Sequence, residues 1–212
     1  ATSSLDLQSF YDASQVCVTQ VTPFSGGSDI NLFDCNAVID TSKKVIDNVR
    51  EIIKGMRGYL PYVQGKYRLN IETTGSASVS LTEDDIIGGY ALASPSKNSK
   101  YNRVIVAFVN PDRNYQVDEI QYPAIDDSGY ATADKHATMK SVDGGFLLEG
   151  RFDFRTITSP YQAEEMAEII LRRSREALGL NLNVGFKAYE LHIGDIVNVS
   201  ISSLGFSSKA FR

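Results

Sequence analysis

The chain has 212 residues, enough for one large or two small hydrophobic cores, and its 42% apolar content excludes a disordered chain. Twenty-one Lys+Arg against 26 Asp+Glu leave a net charge of −5, which argues against binding nucleic acid through its phosphates. No apolar run reaches the ~20 residues of a membrane helix.

The first residues, Ala1 to Asp6, lack a basic stretch followed by an apolar one, so no signal peptide is read there. Without an initiator Met, the chain is expected to begin at a processing site or an engineered boundary. Leu5 to Tyr11 and Val16 to Val18 suggest a short helix. Pro23 to Asp29 reads as a loop from its Gly, Ser and Pro content. Cys17 and Cys35 form neither a C-x-x-C pair nor a ligand quartet, so they read as two small buried hydrophobes rather than as a zinc site, with a disulfide the lesser alternative.

A helix is expected from about Thr41 to Arg57, because Val45, Ile46, Val49, Ile52, Ile53 and Met56 share one helical face. Asp40, Thr41 or Ser42 can cap its start, and Gly58 is the expected stop. Tyr59 to Val63 and Lys66 to Glu72 flank the hairpin signal Gln64-Gly65, and Tyr67, Leu69 and Ile71 alternate with polar residues. Thr74-Gly75-Ser76 reads as a turn before a strand at Ala77 to Leu81. Glu83-Asp84-Asp85 reads as a capped helical turn: adjacent carboxylates on a turn do not face each other across a cleft, as hydrolysis requires, and calcium is the lesser alternative.

Tyr101 to Val109 and Tyr115 to Tyr122 form a second hairpin around Asn110-Pro111-Asp112-Arg113-Asn114. Residues 123–145 read mostly as loop. A strand region follows at Phe146 to Ile157, then a helix opened by Ser159-Pro160-Tyr161-Gln162, a capping box with Pro at the first helical position. Ala163, Met166, Ala167, Ile170, Leu171 and Leu178 supply its apolar face, and Gly179 ends it. The basic run Arg172-Arg173-Ser174-Arg175 is expected to be a solvated face paired with Glu164, Glu165 and Glu168, or else a partner-binding face. Leu180, Leu182, Val184 and Phe186, then Val197, Val199 and Ile201, alternate as strands. Helices and hairpin-joined strands in this order give an α+β fold, not α/β. Two subdomains are expected, 1–90 and 91–212, the second holding the helix at 159–178.

Chemistry is hard to place. His136 and His192 have no neighbouring Cys or His, and His192 reads as a surface or packing residue. No G-x-S-x-G, P-loop or G-x-G-x-x-G occurs, and Gly26-Gly27, Gly88-Gly89 and Gly144-Gly145 read as turns. No catalytic, cofactor-binding or metal-binding residue is proposed and no cofactor is implied, so function is expected to lie in surfaces rather than in a reaction.

Several phrases in order resemble phage tail hub proteins of the lambda-type central tail-tip family. They are NAVIDTSKKVIDNVREII with GYLPYVQGKYRLNIE, SLTEDDIIGG, YNRVIVAFVNPDRNYQVDEIQYP, TSPYQAEEMAEIILRRSR and LHIGDIVNVS. The resemblance implies tail-tube-like small sheets or barrels with two main amphipathic helices. It implies an internal, non-enzymatic segment of a longer protein that ends in mid-strand at Arg212, an end that also fits a tryptic cut. It implies a homotrimer in the ring closing the tail tube at the virion's tail tip, assembled in the host cytoplasm. The expected partners are the distal tail, tail tube and tape measure proteins, with no sequence-specific nucleic acid and no membrane span. A host-surface glycan or receptor module is the alternative, and a cell-wall hydrolase a more distant one. Glycan binding would need exposed aromatics, which 11 Tyr and 10 Phe permit, yet most sit at alternating strand positions expected in the core.

Overall fold

The computed structural model describes residues 4–23, 28–73, 75–94, 99–123 and 131–212, with the side chains of 131–135 left aside. The expected turns at Gly26-Gly27 and Thr74 fall at least partly outside the described residues. The helices are α1 (Leu7–Cys17), α2 (Val45–Gly55), α3 (Ala131–Val142) and α4 (Pro160–Glu176). The first strands are β1 (Gln20–Val21), β2 (Ile30–Asn31), β3 (Gly58–Tyr59), β4 (Tyr62–Val63), β5 (Lys66–Tyr67), β6 (Asn70–Ile71), β7 (Val79–Leu81) and β8 (Ile86–Ala93). The remaining strands are β9 (Arg103–Asn110), β10 (Gln116–Tyr122), β11 (Glu149–Asp153), β12 (Gly179–Val184), β13 (Val197–Ile201) and β14 (Phe206–Phe211). The fold is α+β. Among the described residues its sheets have two or three strands each, and none closes into a barrel.

Two compact units form, each discontinuous in sequence: Ala1–Ile71 with Ser96–Ala177, and Glu72–Pro95 with Leu178–Arg212. The expected division at residue 90 is therefore replaced. The segment carrying β7 and β8 pairs with C-terminal strands instead of with the hairpins that precede it.

The first unit is centred on a three-stranded sheet of order β10-β9-β11. The β9–β10 hairpin is antiparallel and turns at Asn110, whose side chain accepts from the Asp112 N–H; Asn114 and Tyr115 take the left-handed conformation. β11 joins β9 in parallel, a pairing no hairpin signal announces. The even positions of β9, Val104, Val106 and Phe108, face α4 residues Ala163, Met166, Ala167 and Leu171, together with Tyr122, Phe154 and Ile157. This is the period-2 face of a strand laid on the 3.6-period face of a helix.

α2 begins later than expected. Asp40 Oδ1 accepts from the Ser42 amide and hydroxyl (2.9 and 2.6 Å), a local turn that holds residues 40–44 outside the helix. The residue that stops α2 is Arg57, with φ +55°, and not Gly58. Gly58 is needed for room: a Cβ there would lie 3.1–3.4 Å from Ile53, Met56 and the Asn70 carbonyl. The last helical residue, Gly55, is tighter still, because a Cβ would meet Thr156 Oγ1 at 2.6 Å. Gly55→Ala is expected to destabilise this unit by about 1–3 kcal/mol through overpacking, read as a lowered Tm, even though alanine is the better helix former.

The Ser159 box is also corrected. Ser159 makes no side-chain cap, and Gln162 is buried at 3% exposure. Its Nε2 donates to the Gly55 carbonyl (3.2 Å) and its Oε1 accepts from the Asp34 amide (3.3 Å). Gln162 thus ties the end of α2 and the segment after β2 to α4. The Gln64-Gly65 hairpin forms as read, with β4 paired to β5 and both turn residues at positive φ. Its alternation does not hold, since Tyr67 is exposed while Arg68 is half-buried against Asp6. Residues 131–142 form α3 where loop was expected: they carry no apolar stripe, and among the helix's described side chains Met139 joins the core cluster.

The second unit holds the sheet β14-β13-β7, with β13 antiparallel to β14 and parallel to β7, and the separate two-stranded ribbon of β8 and β12. Among its described residues the buried apolar ones are few: Leu81, Val199 and Ile201. Phe186 is not on a strand. It opens a 3-10 helix, Phe186–Glu190, and is 96% exposed.

Candidate interaction surfaces

The acidic turn Glu83–Asp85 is a 3-10 helix in which Glu83 and Asp85 bond to other parts of the fold. Asp85 Oδ2 accepts from the Thr82 amide (2.9 Å) and hydroxyl (3.0 Å) and from Lys187 Nζ (2.8 Å). Glu83 Oε1 accepts from the Ser202 amide (2.7 Å) and hydroxyl (2.9 Å). Those bonds favour the ionised forms: the Ser202 hydroxyl holds Glu83, and Lys187 holds Asp85, below the usual carboxylate range. One oxygen of each of these two carboxylates is thus engaged, by amides and hydroxyls at both and by a lysine at Asp85. Among the described residues no cluster of His, Cys, Asp or Glu is arranged to hold a metal ion.

Within the basic run, Arg175 pairs with Asp143 and not with an upstream glutamate. Arg175 makes a two-pronged contact with Asp143 (2.8 and 3.2 Å) and donates to the Tyr101 carbonyl (3.0 Å). Asp143 also accepts from Asn102 Nδ2 (3.0 Å), and Asn102 is fully buried. Glu165 turns to Arg57 at 3.6 Å, and burial pushes its carboxyl above the usual range. Arg172 and Arg173 remain exposed on α4. A cleft of about 340 Å³ beside them is lined by Tyr122, Met139, Glu168, Leu171, Arg172 and Arg175, among others.

His136 is buried at 8% exposure, and burial first, then Lys140 and Arg103, hold its pKa below the ordinary value. His192 lies at a surface turn, its amide donating to Asp195 (2.9 Å). Cys17 is half-buried and Cys35 exposed, not the two buried hydrophobes expected. Gly144 and Gly145 take positive φ in a turn, as expected, whereas Gly88-Gly89 is not a turn: both lie within β8, and the positive φ of Gly88 falls where the pairing with β12 is irregular. A cleft of about 190 Å³ in the first unit is floored by Val21, Ile30 and Leu32, with Tyr161, Gln162 and Glu165 on its wall. Its polar groups are the Glu165 carboxyl, the Gln162 amide and the hydroxyls of Thr22 and Tyr161.

What the side chains do present is uncovered apolar surface. In the second unit, the cross-strand pairs Leu182↔Tyr90 and Leu180↔Leu92 put four apolar residues on one face of the β8–β12 ribbon. Tyr90 and Leu92 there are 38% and 47% exposed. Ile87 lies beside Gly185, and the 3-10 helix that follows points Phe186 and Tyr189 outward, since residues three apart eclipse in that helix. The alternation of Leu182, Val184 and Phe186 hid this surface in the sequence; the Gly185 break and the i, i+3 spacing of Phe186 and Tyr189 were the signals of it. In the first unit, Val38, Ile39, Val45 and Ile46 are likewise exposed, so only the C-terminal half of the α2 stripe is covered. Contiguous exposed apolar side chains mark protein contact surfaces. The aromatics are thus more exposed than their alternation suggested.

No model of a known protein family matches the chain. The baseplate hub protein pb3 of Escherichia phage T5 is 23% identical over 176 residues, 83% of this chain and 17% of the hub protein. The chain therefore spans about a sixth of that relative's length. Among solved structures, a chain in the virion of a native gene transfer agent particle superposes with a TM-score of 0.55 at 13% identity, over 76% of this chain and 34% of the other. A 43 kDa tail protein of prophage MuSo2 from Shewanella oneidensis matches over 92% of this chain and 55% of the other at 13% identity, with a TM-score of 0.47. By sequence this chain is a relative of a phage baseplate hub protein, and by fold a relative of a gene transfer agent virion chain.

Proposed function

We propose that the chain is a structural module of a phage tail-tip or baseplate hub, part of a longer protein of the lambda-type tail-tip class that helps close the tail tube. The observation that carries this is the sequence likeness to a baseplate hub protein along 83% of the chain. The side chains agree with it: Glu83, Asp85 and Arg175 bond within the fold, while the surface presents Phe186, Tyr189 and the Tyr90/Leu92 ribbon face. Neighbouring tail proteins are the natural cover for such surface, with a homotrimer as the assembly, the virion tail tip as its place and no enzymatic step in its role. The test is a small epitope tag on the full-length protein, followed by immunogold microscopy of purified particles. Label at the distal end of the tail is the expected result; label on the head or along the whole tail overturns the reading.

One substitution separates folding from assembly. Phe186→Asp is expected to change the stability of the chain by less than about 0.5 kcal/mol, because a side chain that is 96% exposed loses no packing. The same change is expected to reduce the yield of complete tails, counted by electron microscopy of the full-length variant.

The host-surface reading is favoured by the same exposed aromatics, since rings such as Phe186 and Tyr189 could stack on a sugar. Saturable binding of the 212-residue chain to host cells or a glycan array, lost with Tyr189→Ala, would move the assignment there.

A further inference from the structure

We propose that the outer edges of the β8–β12 ribbon are an interface between copies of this chain, in which β12 of one copy adds to β8 of the next. The proposal rests on the tail reading only in giving its homotrimer a contact surface; the pairing argument stands apart from it.

As a sheet the ribbon is unfinished. Among the described residues, β8 and β12 have only each other as strand partners. In an antiparallel pair every second residue turns its amide and carbonyl away from the partner, so each strand carries a row of backbone donors and acceptors along its outer edge. β8 is exposed from Ile87 to Ala93, and along β12 exposed residues alternate with half-buried ones from Gly179 to Val184. A two-stranded ribbon so little covered is marginal in water and gains from a further strand.

Its composition sets it apart. Edge strands ordinarily carry charges that discourage pairing with another chain. Among the described residues, the other edge strands of five residues or more follow that rule, with Asp118 and Glu119 on β10, Glu149, Arg151 and Asp153 on β11, and Lys209 on β14. The ribbon departs from it: no charged residue or proline stands between Ile86 and Ser94 or between Leu178 and Phe186. In a chain of net charge −5, two copies repel least where they meet through such a neutral surface.

A pairing already present identifies the occupant. Within the chain β12 fits β8 with Leu182 opposite Tyr90, Asn181 opposite Ala91, Leu180 opposite Leu92 and Gly179 opposite Ala93. A strand offers the same side chains to both of its edges. β12 of a second copy, laid on the outer edge of β8, therefore repeats those pairs, with only the hydrogen-bonded and non-hydrogen-bonded sites exchanged. The apolar face of Tyr90, Leu92, Leu180 and Leu182 then continues from copy to copy. The irregular stretch between Ile86 and Tyr90, where Gly88 has φ +82°, limits the contact to Tyr90–Ala93. Because β8 of one copy takes β12 of the next, the contact is head-to-tail, and a closed ring of copies leaves no ribbon edge open.

The test uses the 212-residue chain with Cys17→Ser and Cys35→Ser as background. Ala91→Cys is made on an untagged chain and Asn181→Cys on an affinity-tagged one; both positions are exposed, and each variant is expected to keep the Tm of the background. Each chain then has a single thiol, so a disulfide arises only across copies, and directly opposite strand residues are near enough to form one. The mixed chains are oxidised with diamide. The expected main product is a tagged-untagged dimer linked from 91 to 181, several-fold more abundant than with Val38→Cys, an exposed position in the first unit, in place of Ala91→Cys. Sedimentation of the background chain is expected to show an oligomer at the same concentration. Equal yields with Val38→Cys, a chain that stays monomeric, or Asn181→Cys homodimers as the main product would each overturn the proposal. A photo-crosslinker at position 181 of the full-length protein that links, in purified particles, to a different tail protein would overturn it too. Distal immunogold label without the 91–181 link refutes this interface alone, and the link with label elsewhere refutes only the tail reading.

Discussion

Phe108→Ala is expected to cost the first unit about 3–5 kcal/mol, enough to remove much of a typical domain's stability. Phe108 is 2% exposed at the centre of β9, between both neighbouring strands of its sheet and under α4. Its neighbours in the cluster, Val104, Val106, Ile157, Ala163 and Ala167, are all fully buried, and elements held on several sides collapse poorly into a void. The measurement is the urea midpoint by circular dichroism, with Phe108→Leu as the milder control. Equal stability of Phe108→Ala and the parent would refute the core described here. Ile201→Ala makes the corresponding test of the second unit, where so few side chains are buried that one loss should be felt strongly.

Asn102→Ala is expected to rank second, at about 2–4 kcal/mol, by a different route. Asn102 is fully buried and satisfied at each end: Oδ1 accepts from the Leu148 amide (2.9 Å), while Nδ2 donates to the Phe146 carbonyl (2.8 Å) and to Asp143 (3.0 Å). Removing it strands a backbone amide and a carbonyl and loosens the Asp143–Arg175 pair that joins the end of α3 to α4. That pair also gives the fold an acid limit. Arg175 first, and Asn102 after it, hold the Asp143 carboxyl below its ordinary value. A carboxyl depressed in the folded state contributes stability that is present above its unfolded value and is lost as the pH falls through the folded one. Stability is therefore expected to decline on the acid side of the ordinary aspartate range. Asp143→Asn should flatten that part of the profile, read as Tm against pH, while lowering stability at neutral pH.

Much of the organisation was legible in the sequence because its signals are local. The stripe of α4, the Gln64-Gly65 turn, the Asn110 to Asn114 turn, the β-branched and aromatic run of β9 and the alternation of β13 each depend on residues within a few positions of one another. The capped turn at Glu83–Asp85 was legible for the same reason. The ordered phrases that resembled tail hub proteins found a counterpart in the 23% likeness to a baseplate hub protein.

Tertiary structure decided the rest, where pairing reaches across long stretches of chain. Nothing near β7 or β11 announces that each lies parallel to a distant strand, so the division into two interleaved units was invisible to periodicity. Gln162 carried the pattern of a capping box, but burial beside α2 gave it better partners in Gly55 and Asp34. Residues 131–142 have no apolar stripe and fold as α3, with His136 and Met139 turned inward. Phe186 fitted an alternation that ended at Gly185 and so stands in solvent. In each case local sequence restricts what a segment can become, and the choice among those outcomes falls to the surface it can bury and the polar groups it can satisfy.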